Sequence, residues 1–92
     1  MNLNRIVLDV VKGLSKPSLI SLASEIVKVR GVSEVNISVN DTDIEVMSLA
    51  VSVNGSGISY ESLIKNIEET GCAIRSIDEI NVSKDTRLDS RK

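Results

Sequence analysis

The 92-residue sequence predicts an α+β sandwich, with a four-stranded antiparallel sheet and two helices on one face. Three observations carry that expectation. Four stretches rich in Ile, Val and Leu read as strands, and two segments between them repeat aliphatic residues at helical spacing. The order that results is βαββαβ. The two helix–strand units also share a pattern, "SLASEIVKVRGVSEVNIS" and "SLIKNIEETGCAIRSID", as the internal pseudo-symmetry of a split βαβ unit requires. This is the ferredoxin-like arrangement, expected to fill residues 1–83 as one domain, with a flexible charged tail over 84–92.

Each element has its own reason. "RIVLDVVK", Arg5 to Lys12, is β-branched and mostly apolar, so it reads as a central strand. "GLSKP" follows as a loop, with Pro17 placed as the first helical residue. Leu19, Leu22, Ala23 and Ile26 recur on one side of a helix that Gly31 is expected to stop. Val35, Ile37 and Val39 alternate on the second strand, and Leu49, Val51 and Val53 on the third. "NGSG" breaks that strand. Ser59 is placed to cap a second helix burying Tyr60, Leu63, Ile64 and Ile67, and Gly71 to close it. Glu61 stands four residues before Lys65 as a weakly favourable pair. Ala73 to Val82 make the fourth strand, with Ile74, Ser76, Asp78 and Ile80 expected on one face and Ala73, Arg75, Ile77 and Glu79 on the other.

Composition excludes whole classes of chemistry. There is no Trp or Phe, and Tyr60 is the one aromatic, so the core must be aliphatic. With no His, imidazole acid–base catalysis, Ser–His or Cys–His nucleophiles and His-ligated zinc are all ruled out. A lone cysteine, Cys72, permits no internal disulfide and no multi-Cys metal site, and reads as a small packing residue. "KDTRLDSRK" at the C-terminus carries a surplus of two positive charges, so the rest of the chain stands at −4 within a net −2. An acidic body lacks the electrostatic footprint for nucleic acid or for anionic membranes. No apolar run approaches the ~18 residues of a membrane span. The expectation is a soluble, cytoplasmic protein with neither nucleic acid nor membrane as partner.

Two surfaces stand out. If Ile6, Leu8 and Val10 face the helices, Val7, Asp9 and Val11 face outward, and either phase of the first strand leaves aliphatics uncovered. This points to a partner subunit on the open face, making a homo-oligomer, or to the tail folding over it. Asp9 interrupts that strand, and on the open face it would meet Arg75, Ser76 or Asp78, or stay a lone carboxylate. Arg75 is read as an ion-pair partner of Glu79 rather than an anion ligand.

The second surface is "VNDTDIE", where Asp41, Asp43 and Glu45 alternate. With Val39 and Leu49 both inward, a three-residue loop over Thr42 to Ile44 would set Asp41 opposite Glu45. Like charges so placed cost ~0.2–1 kcal/mol. Three arrangements relieve them: solvation, the most ordinary; a Lys or Arg from a neighbouring subunit; or a bound Ca²⁺ or Mg²⁺ taking oxygens from Asp41, Asp43 and Glu45 with Asn40. The stretch lacks the EF-hand loop pattern.

Several ferredoxin-like relatives fail on their residues. Heavy-metal chaperone domains carry two cysteines where this chain has "GLSKPS", RNA-recognition motifs need aromatics on the central strands, and acylphosphatases need an arginine in the first loop. The chain instead resembles archaeal domain-of-unknown-function family 211, through "IVLDVVK" with Pro17 after it, "GVSEVNISVNDTDIE", and above all "GCAIRSIDEI". The resemblance implies a ferredoxin-like domain in an archaeal cytoplasm that assembles into homo-oligomers, with no assigned enzymatic activity. It also implies an acidic hairpin, matched here by Asp41, Asp43 and Glu45. The chain departs from that pattern at Arg75, where the family tends to have His, and at Val46 and Met47, where it tends to be more polar.

The sequence therefore reads as a non-enzymatic, self-assembling domain, with a divalent cation considered at the hairpin. The alternative is a regulatory domain like the ACT domains, taking a small molecule such as an amino acid at Gly13, Ser15 and the N-terminus of the first helix.

Overall fold

The structure, a computed structural model, describes residues 1–84. Apart from Lys84, the expected tail lies outside the described residues. The elements are β1 (Asn2–Gly13), α1 (Leu19–Ile26), β2 (Val32–Thr42), β3 (Val46–Gly55), α2 (Tyr60–Glu69) and β4 (Ala73–Ser83). The strands lie in the order β2-β3-β1-β4 with every neighbouring pair antiparallel, as the ferredoxin-like fold requires.

The core is aliphatic and centred on the inner strands. Ile6, Leu8 and Val10 of β1 and Leu49, Val51 and Val53 of β3 are buried against Leu22 and Ile26 of α1 and Leu63 and Ile67 of α2. Each such side chain contributes ~1.5–3 kcal/mol by leaving water. Cys72 is buried among them as a packing residue. Tyr60, expected in the core, is instead 43% exposed at the first position of α2.

The helix ends differ from expectation for identifiable reasons. Ser18, not a residue before Pro17, is the N-cap of α1: its side chain accepts from the Ser21 amide. Pro17 therefore precedes the cap, and Leu19 is the first helical residue. At the other end the helix stops at Ile26, because Lys28 N–H and Val29 N–H donate to Glu25 and Ile26 carbonyls three residues back. This tightens the last turn before Gly31 reverses the chain. Gly71 caps α2 as expected, with φ of 96° and its N–H on the Glu68 carbonyl.

Strict alternation fails on β4. Between Val7 and Leu8 the register with β4 slips by one residue at Asp78, and between Asp9 and Val10 it slips again at Arg75. These are β-bulges. Ile80, Ile77 and Ile74 consequently stand opposite Ile6, Leu8 and Val10 on the helix side of the sheet. The expected division of β4, with Ile74 and Ile77 on opposite faces, is thus overturned.

A glycine seam joins the two halves. The turn from α1 to β2 lies backbone against backbone on the turn from β3 to α2: Ser56 N–H donates to Gly31 O at 2.8 Å and Ser59 N–H to Arg30 O at 3.0 Å. A Cβ on Gly55 would land on the Gly31 carbonyl. Neither partner is a side chain that can swing away.

Gly55→Ala should therefore cost roughly 3 kcal/mol, the upper range for overpacking. Gly71→Ala, with nothing within 4 Å of its added Cβ, should cost only roughly 1 kcal/mol for its left-handed backbone. Urea unfolding of the two variants beside the parent chain checks the order.

Candidate functional site

The open face is polar and laced across strands. Arg5, Val7, Asp9 and Val11 of β1 point to it, opposite Asn54, Ser52, Ala50 and Ser48 of β3. The bulge at Arg75 lets its guanidinium reach over β1, where Nη2 donates to Asp9 Oδ2 at 3.1 Å and to Ser48 Oγ at 3.1 Å. Asp9 therefore has a partner in its own chain. Arg75 does not pair with Glu79, as had been expected. Glu79 accepts from Arg5 Nε at 2.7 Å, while Arg5 Nη1 donates to Asn54 Oδ1 at 3.1 Å. Ser76 Oγ donates to Asp78 Oδ1 at 2.7 Å. Val7 and Val11 are half-buried beneath these side chains. The two aliphatics of β1 on this face are thus partly sheltered within a single chain.

The acidic hairpin is also built differently. Asn40 is an extra residue on β2, so Val39 pairs with Leu49 but Asp41 pairs with Ser48 and Thr42 with Met47. The loop is Asp43 to Glu45, closed by Asp43 N–H on the Val46 carbonyl at 2.8 Å. Asp41 and Glu45 do not face each other, since the bulge changes the parity on which that opposition rested. Asp41 Oδ1 accepts from its neighbour Thr42 N–H at 2.9 Å and Asp43 Oδ1 from Ile44 N–H at 2.6 Å. All three acids are exposed, and none joins a salt bridge among the described residues. No group of three His, Cys, Asp or Glu side chains suited to a metal occurs among the described residues.

One residue escaped the sequence reading. Lys12 is 3% exposed, with Nζ donating to Gly13 O at 2.6 Å and Leu14 O at 3.4 Å. Its even number, in phase with Ile6, Leu8 and Val10, was the available signal. Its ammonium clasps the β1–α1 loop at Gly13 and Leu14, the loop in which the sequence suggests a small-molecule ligand. The capping Ser18 hydroxyl occupies one amide of the adjoining helix end.

The helix side of β4 is left bare from Ile77 onward. Ile77, Ile80 and Val82 are 48%, 58% and 43% exposed, although they stand opposite buried residues of β1. The helix beside it is also much the shorter element. At ~1.5 Å per residue the ten residues of α2 span ~15 Å, whereas the eleven of β4 span ~36 Å at ~3.3 Å each.

Comparison with known proteins agrees with the family resemblance. The profile of the family described as "Uncharacterized ArCR", domain-of-unknown-function family 211, matches residues 4–88. An uncharacterized protein of the archaeon Methanocaldococcus jannaschii is 30% identical over 82 residues, which cover 89% of this chain and 84% of that protein. The chain belongs to this family.

The Asp9–Arg75 pair is partly exposed and should be worth ~0.2–1 kcal/mol. A double-mutant cycle of Asp9→Asn and Arg75→Gln, read by urea unfolding, should return a coupling in that range that shrinks as salt is raised.

Proposed function

We propose that this family member is a self-assembling cytoplasmic domain without enzymatic activity of its own, whose subunits meet along β4. One observation carries the reading: Ile77, Ile80 and Val82 form an exposed apolar row on an edge strand. An edge strand presents unpaired N–H and C=O groups, and proteins ordinarily blunt such an edge with charge. Here the bulges at Arg75 and Asp78 turn the charges away from the helix side and leave aliphatics there. A row of this kind is a contact surface in want of a partner.

The other readings have less support. The polar side chains of the open face are paired with one another, which fits a structural role better than an acid–base one. For a small molecule at Gly13, Ser15 and the start of α1, the Ser21 amide is already taken by the Ser18 hydroxyl, which leaves one donor fewer for a carboxylate. For Ca²⁺ or Mg²⁺ at Asp41, Asp43 and Glu45, two of the three carboxylates are turned onto their own backbone. Calcium takes six to eight oxygens, more than this hairpin directs to one point.

Native mass spectrometry after purification with chelator should show an oligomer, and Ile80→Lys should lower the subunit number while far-UV circular dichroism stays unchanged. A monomeric parent chain at all concentrations sinks the reading. Repeating the measurement with Ca²⁺ or Mg²⁺ separates the hairpin question: retained stoichiometric metal with a changed subunit number would return Asp41, Asp43 and Glu45 to the role of cation ligands.

A further inference from the structure

Towards the end of the molecule opposite the hairpin, the turn after α1 and the outer side of α2 leave a cleft of about 370 Å³. Lys28, Arg30 and Lys65 line it, with Glu69 as the one acid. This is a basic surface on a chain of net charge −2. Lys28 pairs with Glu25 at 3.0 Å, but Arg30 and Lys65 join no salt bridge among the described residues. Lys65 does not take up the pair with Glu61 that helical spacing offered. The wall of the cleft is fixed in advance, because Asn66 Nδ2 of α2 donates to the Glu25 carbonyl of α1 at 3.2 Å.

The hairpin is its complement in charge, with an apolar residue at its tip. Asp41, Asp43 and Glu45 carry three negative charges with no base among them, and Ile44 at the tip is 86% exposed. The cleft offers the aliphatic stems of Lys28 and Lys65 to such a tip. The two surfaces cannot meet within one chain. Gly13 of β1 pairs with Val46 beside the hairpin, whereas the Arg30 turn is tied through Ser59 and Ile58 to Leu3. Ten residues of strand at ~3.3 Å each put roughly 30 Å between them.

We propose that the acidic hairpin of one copy seats in the Lys28–Arg30–Lys65 cleft of the next, so that subunits associate head to tail. The inference rests on the self-assembly reading and adds to it a second contact with a direction. A head-to-tail contact is heterologous, so it yields a ring if its rotation closes and a filament if it does not. The counter-charge of the hairpin is then protein rather than metal, and opposite charges at the two ends steer encounter.

The test is a charge exchange in the full chain, followed by sedimentation velocity over a range of concentrations. Glu45 makes no side-chain hydrogen bond among those described and Arg30 is exposed, so both positions tolerate reversal. Glu45→Lys and Arg30→Glu should each weaken association by about tenfold or more, as like charges are brought together. The doubly exchanged chain should regain most of that loss. Raising salt should weaken the parent and spare the single variants. If both single variants associate like the parent, or if both weaken and the double exchange regains nothing, the hairpin–cleft contact is wrong while assembly along β4 stands. A parent chain that is monomeric throughout removes the assembly reading and this contact with it.

Discussion

The phase of β1 is the constraint on which the rest of this molecule depends. Ile6, Leu8, Val10 and Lys12 enter the helix layer, and Val7, Asp9 and Val11 leave it. Both β3 and β4 take their register from this one strand. A slip of one residue would carry Asp9 into an aliphatic core with no partner for its charge, and would strand three aliphatics on the open side. With no Trp or Phe to fill space in large units, tolerance for such an error is small. The Asp9–Arg75 and Arg5–Glu79 pairs sit on the outward phase of the same strand. Weak as exposed pairs are, they favour one pairing of β1 with its neighbours over its alternatives.

That distribution of polar groups also decides where apolar surface remains. Arg75 and Arg5 reach across the open face, so the valines beneath them are sheltered inside a single chain. The unsatisfied hydrophobic surface moves to the other side of the sheet, along the part of β4 that the short α2 does not reach. A domain this small buries a modest fraction of its surface, and association is a common way for such domains to bury more. The charged ends would then govern how copies are oriented, and the aliphatic row how firmly they hold.

Much of this was legible in the sequence, and what was not has a common cause. The order of elements, the core positions of β3, the cap at Gly71 and the burial of Cys72 follow from periodicity and turn chemistry, whereas alternation alone leaves the phase of β1 open, and Ser59 stands at the N-cap position of α2 with its hydroxyl on Ser62 rather than on a helix amide. The two faces of β4 did not, because a bulge consumes a residue without any mark in the sequence, and two of them turn an alternating pattern into a spacing of three. Ile74, Ile77 and Ile80 carry that spacing in the sequence itself. Asn40 defeated the hairpin in the same way, and with it the opposition of Asp41 and Glu45. Tyr60 was misplaced because helical spacing alone does not say how wide the buried stripe is. Lys12 was overlooked for the opposite reason: its position was in phase, and its charge hid it. The basic cleft draws on residues from two helix regions, Lys28 and Arg30 with Lys65, which only the fold brings together.

The glycine seam between the Gly31 and Gly55 turns has a consequence for how the molecule breathes. Each half of a split βαβ unit is, in principle, a piece that can open on its own. Here the turn leaving α1 and the turn entering α2 share backbone hydrogen bonds and no side chain stands between them. Opening one half breaks the other's turn, so the lowest-energy route to exposing amides at this end is loss of the whole structure rather than of a part. The amides of Ser56, Ile58 and Ser59 then exchange with solvent at the pace of global unfolding, despite lying in loops. At the far end no backbone bond among the described residues ties the tip of the β2–β3 hairpin to an element outside it, so its amides should exchange faster than those of the seam.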